Sequence, residues 1–157
     1  MILLIVGIVL IAAAIAGGVW WYARIFHGCN PPLPRQTILI GNTPFDAEMA
    51  TTMVQQACGL SGREGLGDKQ GMFFAFSSAG TQNFWMKDMS FALDMIWISG
   101  DKVAGYTEDV PPPQPGATML WQLKIYPSPP NVDKVLEVNS GTVAKYGIHV
   151  GDTVAGF

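Results

Sequence analysis

Residues 84–99 read FWMKDMSFALDMIWIS, a run of aromatic and aliphatic side chains interrupted by Lys87, Asp88 and Asp94. Alternate residues of a strand share a face. In Leu93–Ser99 both faces are apolar: Leu93, Met95 and Trp97 lie on one, and Ile96 and Ile98 share the other with Asp94. A strand apolar on both sides lies inside a sheet covered on both sides, which predicts a buried Asp94. A buried carboxylate needs a partner, and Lys87 across a short loop is the nearest candidate in the chain. The expectation is a structural ion pair that fixes strand register, with a polar anchor in an aromatic pocket lined by Phe84, Trp85 and Trp97 as the functional alternative.

The neighbouring segments continue the strand chemistry. MFFAFS (72–77), WMKD (85–88), KVAGY (102–106) and KVLEVN (134–139) are short runs of the same kind, and Gly100-Asp101 reads as a hairpin turn. Residues 110–131 hold seven prolines, a long loop with one edge strand expected in MLWQLKIY. TILIG (37–41) reads as a first strand. Thr43-Pro44-Phe45-Asp46 has the form of a helix start, predicting one amphipathic helix over 44–58 that stops at Gly59. A glycine-rich loop covers 59–71, a helical turn 142–146, and GIHVGDTV leads into a last strand. The fold class is therefore α+β and β-dominated, with one or two short helices.

The 157 residues divide into three parts: an N-terminal segment (1–26), a proline-rich tether (27–36) and a globular domain (37–157). Residues 2–23 contain no charge, and 22 residues of helix would reach ~33 Å, enough to cross a ~30 Å hydrocarbon layer. Trp20, Trp21 and Tyr22 sit where an aromatic belt would meet the headgroups. An uncleaved single-pass anchor is the leading expectation; a signal peptide cleaved after Ala14-Ile15-Ala16 and lipid attachment at Cys29 are the alternatives. Arg24 and Arg35 follow the segment and no basic side chain precedes it, which on the positive-inside rule favours a cytoplasmic domain.

Residues 27–157 carry 12 acidic and 8 basic side chains, a balance that speaks against a nucleic-acid partner. Of the two histidines only His149 lies in the domain, so a metal site with two His ligands is excluded there; no metal, cofactor or catalytic residue is assigned. Met72, Met86, Met89 and Met95 read as core filling. Cys29 and Cys58 are expected as unpaired thiols, though an oxidising compartment would let them pair. Nothing in the sequence supplies a third group to Cys58 and His149 as a nucleophile and base.

The motifs Gly59-Leu60, Arg63, Gly71-Met72-x-Phe74-x-Phe76, Phe84-Trp85-Met86-Lys87, Leu93-Asp94, Leu136-Glu137 and Gly147-Ile148-x-x-Gly151-Asp152 resemble the prokaryotic family named domain of unknown function 192, over about residues 58–154. The resemblance implies a compact barrel-like mixed sheet, no established activity, and a domain on the extracytoplasmic side. Ser61 stands where the family pattern has methionine, and Phe91-Ala92 where it has Ile-Pro.

Arg63 lies in a loop that follows a helix and enters a strand, the reverse of a phosphate-cradling loop. Its guanidinium is expected to pair with Glu137 or Asp152, or to bind a carboxylate ligand. Gly71, Met72, Glu137, Gly147, Gly151 and Asp152 are expected to be structural, Asp152 by capping a turn. Two function classes follow. One is a membrane-tethered, non-enzymatic binding module for a small or envelope-associated ligand, using Arg63, Phe84, Trp85, Lys87, Asp94 and Trp97. The other is a hydrolase with Asp94 as general base, assisted by Arg63 and Lys87. They differ in one respect: a catalytic base must be reachable from solvent, whereas a structural Asp94 would be sealed.

Overall fold

The computed structural model describes Cys29, residues 31–117 and residues 119–157. The apolar segment expected to cross a membrane lies outside them. Among the described residues no helix is long and apolar enough to span a bilayer.

The domain is β-dominated. Strands β1 (Arg35–Ile40), β2 (Thr43–Ala50), β3 (Gln70–Gly80), β5 (Leu93–Ser99), β6 (Lys102–Val110), β8 (Val132–Asn139) and β9 (Val154–Ala155) form one mixed sheet in the order β6-β5-β8-β3-β2-β1-β9. Only β2 and β3 run parallel; the other neighbours are antiparallel. A separate two-stranded ribbon joins β4 (Asn83–Phe84) to β7 (Tyr126–Pro127). Two short helices complete the domain, α1 (Met53–Cys58) and α2 (Thr142–Tyr146).

The sheet curls until its two edges meet at one end, where Lys102 at the start of β6 bridges to Thr153 beside β9. Val103 N–H donates to the Asp152 carbonyl, and Gly151 N–H donates back to the Val103 carbonyl. Such closure removes part of the exposed edge that an open sheet would present. Alternation along the strands then sorts the apolar residues into two cores. One draws on both edges and the strands between, with Ile38, Phe45, Phe73, Ile96, Leu136, Val103 and Val154, and is the core the curl encloses. The second lies on the opposite face of β3, β5 and β8, where Met72, Phe74, Met95, Trp97 and Val135 are covered by Leu60, Phe84, Met86 and Met89 from the connecting segments. Both faces of β5 are therefore buried, as its sequence requires.

Three expectations are corrected. Residues 44–50 are a strand, not the first half of a helix. Gly41, at φ +57°, turns the chain into a hairpin; Phe45 and Ala47 pack into the enclosed core, and Ala50, on the other face, into the second. Pro44 lies ahead of the stretch that β2 shares with β3, which begins at Asp46, so its missing N–H interrupts no bond to β3. The helix start is instead Thr52, whose hydroxyl accepts from Gln55 N–H while the Gln55 side chain accepts from Thr52 N–H, a reciprocal capping box. Thr43 offered the same residue type nine positions too early. Second, residues 85–88 are not a strand: the chain leaves β4 and turns, with Asp88 at φ +54°. Third, residues 119–126 form a single 3-10 turn (Leu120–Gln122) and the two-residue β7 rather than an edge strand.

Candidate functional site

The second core is incomplete. Between the face of β3 and β8 and the segments that cover it lies a mostly apolar pocket of about 240 Å³. Its walls come from α1 and the following turn (Met53, Gln56, Cys58, Leu60), from β3 (Phe74, Phe76) and from the segment after the β3–β4 turn (Phe84, Trp85, Met86, Met89). Edge-to-face packing holds the aromatic part in place: the Phe84 ring stands 5.1 Å from Phe74, 6.2 Å from Phe76 and 5.5 Å from Trp97.

Hydrogen bonds between two loops form the rim. Ser61 Oγ donates to the Lys87 carbonyl at 2.8 Å, Gly62 N–H to the Asp88 carbonyl at 2.8 Å, and Ser90 Oγ to the Arg63 carbonyl at 2.8 Å. Ser61, the departure from the family pattern, thus stitches the rim. On another side Gln82 N–H donates to Ser128 Oγ and its amide to the Val132 carbonyl. The helix is fixed from below, since Gln56 Nε2 donates to the Ala75 carbonyl at 2.7 Å.

One charged residue type reaches this apolar space from the sheet itself. Glu137 lies on β8, the strand between β3 and β5, opposite Met72 on one side and Met95 on the other. It lines the pocket and is almost fully buried, and among the described residues its carboxyl group forms no salt bridge. Burial in this environment pushes its pKa up to about 8, from a usual value of 4.5. At neutral pH the group is mostly protonated, with one O–H to donate and one C=O to accept.

The residues singled out from the sequence divide sharply. Phe84, Trp85 and Lys87 line the pocket, and Leu60 and Glu137 join them. Trp97 is buried behind Phe84 and donates from Nε1 to Thr107 Oγ1 at 3.1 Å. The expected Lys87–Asp94 pair does not form. Lys87 pairs with its neighbour Asp88. Asp94 is sealed from solvent and accepts two backbone hydrogen bonds, from Asp109 N–H at 3.0 Å and Val143 N–H at 2.9 Å. The reason is topological: β5 places the Asp94 side chain on the enclosed face, opposite to the pocket. There the first turn of α2 needs an acceptor, because its cap residue Gly141 has no side chain to offer.

Arg63 is likewise corrected: it pairs neither with Glu137 nor with Asp152. Its guanidinium grips Glu48 on β2 through two hydrogen bonds of 2.6 Å, and Arg35 adds a third contact to the same carboxylate at 3.1 Å. The Arg63 hydrogen bonds hold the Glu48 carboxyl below the usual carboxylate range. Asp152 accepts from His149 N–H at 2.8 Å within the turn where Gly151 takes φ +95°, and Gly147 ends α2 at φ +61°. Gly71 lies where β3 crosses close to β8: a Cβ there would stand 2.5 Å from the Glu137 carbonyl oxygen.

The cysteines, expected to be unpaired, form a disulfide between Cys29 and Cys58 with Cα atoms 5.3 Å apart. It closes a loop of about 30 residues, worth roughly 3–4 kcal/mol in chain entropy. Sequence separation gave no hint of it; what brings them together is that β1 and β2 form a hairpin, returning the tether to the end of α1. Cys58 also lines the pocket, so the tether is bonded to one of its walls. Among the described residues no group of three His, Cys, Asp or Glu side chains could hold a metal ion.

Sequence reasoning missed Glu137 as a pocket residue and Glu48 as the partner of Arg63. The signal for the first was present: in VLEVN a glutamate stands between Leu136 and Val138 on a strand apolar to either side. Glu48 was hidden by the helix assigned to its segment.

Comparison with known proteins places these features in a wider set. No curated protein matches the chain. Several solved structures are similar to it, two of which illustrate the range. One, from Sinorhizobium meliloti 1021 and provisionally described as a transcription regulator, is 26% identical with a TM-score of 0.71, covering 81% of this chain and 97% of its own. The other, a protein of unknown function from Novosphingobium aromaticivorans DSM 12444, is 30% identical with a TM-score of 0.69, covering 78% of this chain and 86% of its own. The model of the family DUF192, described as Uncharacterized ACR, matches residues 36–156, and the chain belongs to that family.

Proposed function

We propose that the domain is a non-enzymatic binding module whose pocket takes a small ligand with an apolar body and one polar end. The observation that carries this reading is Glu137, a buried carboxyl group that forms no salt bridge among the described residues, in a mostly apolar and aromatic pocket. Placing a carboxyl group in the second core costs stability, and a core needs none there. A protonated Glu137 would donate to and accept from an amide, carboxylic acid or hydroxyl, while Phe74, Phe84 and Trp85 cover the rest. The volume suits a small metabolite or the end of a larger molecule.

The hydrolase reading loses its support, because its base, Asp94, is sealed and committed to backbone N–H groups. Held by residues 2–23, the domain would stand at a membrane surface on the extracytoplasmic side. The Cys29–Cys58 disulfide supports that side, since such bonds persist in oxidising compartments.

A thermal-shift screen of residues 27–157 against small amides, acids and sugars tests the reading. The neighbouring structures, which consist almost wholly of this domain, support its use in isolation. A hit should raise the melting temperature of the wild type and not of Glu137→Met, which keeps the volume and removes the polar end. A ligand that stabilises both equally binds elsewhere, and the reading falls.

A further inference from the structure

We propose that the face of α1 carrying Met53 and Val54 rests on the lipid surface of the membrane. The proposal depends on the anchoring reading above and adds an orientation to it. Met53 and Val54 are 86% and 53% exposed, an unusual expenditure of apolar surface on a helix of six residues. Residues 51–62 themselves contain no charged side chain, although Arg63 borders Val54 in a small hollow and Lys87 shares the pocket wall with Met53, in a domain whose residues 27–157 are net acidic. An uncharged apolar helix is the part of an acidic domain that meets lipid at the least desolvation cost.

The disulfide supplies the direction. It bonds Cys29 to the last residue of α1, and Pro31 and Leu33 of the tether share a small hollow with Val54 and Cys58. Met53 is five residues from Cys58, ~7.5 Å along the helix. The uncharged segment ends at Ala23, and the six residues to Cys29 span ~20 Å at full extension. A domain of this size is roughly 35 Å across. A leash shorter than the domain, fixed at α1, keeps the α1 side toward the bilayer and the far side away from it. Without the disulfide the leash would run on to Leu33, which packs against the second core, and this constraint would loosen. Met53 also lines the pocket, so the seating turns that part of the pocket wall toward lipid.

The exposed Met119, Trp121 and Ile125, on the segment between β6 and β7, serve as comparison residues; the disulfide does not reach that segment. The test uses the full-length chain in phosphatidylcholine vesicles containing a phospholipid with a photoreactive diazirine near its headgroup, with adducts mapped by mass spectrometry. Adducts within 2–23 and within 51–58, but not within 119–125, are the expected result. Adducts within 2–23 without any in 51–58, or in 119–125 instead, overturn the seating and leave the anchor intact. No adduct within 2–23 overturns the anchor and the seating together. The Cys29→Ser/Cys58→Ser chain, checked for retained fold by circular dichroism, should show a weaker contrast between 51–58 and 119–125. An unchanged contrast would overturn the role given to the disulfide.

Discussion

Glu137 lies directly opposite Met72 in the ladder between β3 and β8, so a carboxyl group and a thioether share the face that the pocket opens onto. Met95 flanks Glu137 from the other side. The carboxyl group is thus enclosed by polarizable but weakly hydrogen-bonding neighbours, which is why burial dominates its titration.

That titration sets a pH dependence with a definite sign. Below pH 4.5 the folded and unfolded chains both hold the Glu137 proton. As pH rises from about 4.5 to about 8 the unfolded chain releases a proton that the folded chain keeps, so stability falls, and it levels off above that range. The full effect is on the order of 5 kcal/mol. Urea midpoints of the wild type should fall between pH 5 and pH 8, while those of Glu137→Gln should change much less. Parallel curves for the two proteins would show that Glu137 is not the source.

Asp94 and Lys87 should behave independently. Asp94→Ala leaves the N–H groups of Asp109 and Val143 without their acceptor, a loss of ~2–5 kcal/mol. Lys87→Met removes a largely buried ammonium and its pairing with Asp88, none of which involves Asp94. Denaturation of the double variant should show the sum of the two losses. Recovery in the double variant would mean the two residues are coupled after all.

The Arg63–Glu48 contact should resist conservative exchange. Two parallel bonds of 2.6 Å need a planar fork, so Arg63→Lys should lose ~1–3 kcal/mol rather than restore the contact. Glu48 has the opposite pH sign to Glu137. Because its folded pKa is depressed by Arg63, its contribution is complete above 4.5 and is lost as pH falls through the folded value. Acid unfolding of Glu48→Gln should therefore begin from a lower stability and be shallower. An unchanged acid limb would count against the pairing.

Gly71→Ala should destabilise the domain by at least ~2 kcal/mol, since its Cβ would meet the Glu137 carbonyl oxygen at 2.5 Å and backbone must move. A near-neutral thermal melt would show that β3 and β8 have room to separate there.

The sheet was legible because its strands declare themselves: LDMIWIS is apolar on both faces, and only a strand covered on both sides accommodates that. The second strand was not, because Thr43-Pro44-Phe45-Asp46 satisfies the rules for a helix start, and the hairpin that overrides them depends on pairing with β1. For the site, Phe84, Trp85 and Lys87 were visible as aromatic and charged residues in one motif, and the pocket brings them together. Asp94 drew attention for its charge in an apolar strand, yet the face on which it points depends on register, which alternation alone left to be paired with Lys87. Glu137 carried the same sequence signal and lies on the pocket side. Two carboxylates in two central strands differ in role only because β5 and β8 turn them to opposite faces.

The protonation state of Glu137 is the most direct test of this account. Side-chain carboxyl resonances followed by carbon NMR across pH 3 to 10 would give its midpoint in residues 27–157, with Glu137→Gln assigning the signal. The account predicts a midpoint near 8. A midpoint near 4.5, the ordinary value for a hydrated glutamate, would mean that water or a cation already meets the carboxylate, and the polar end proposed for the ligand would have no waiting partner.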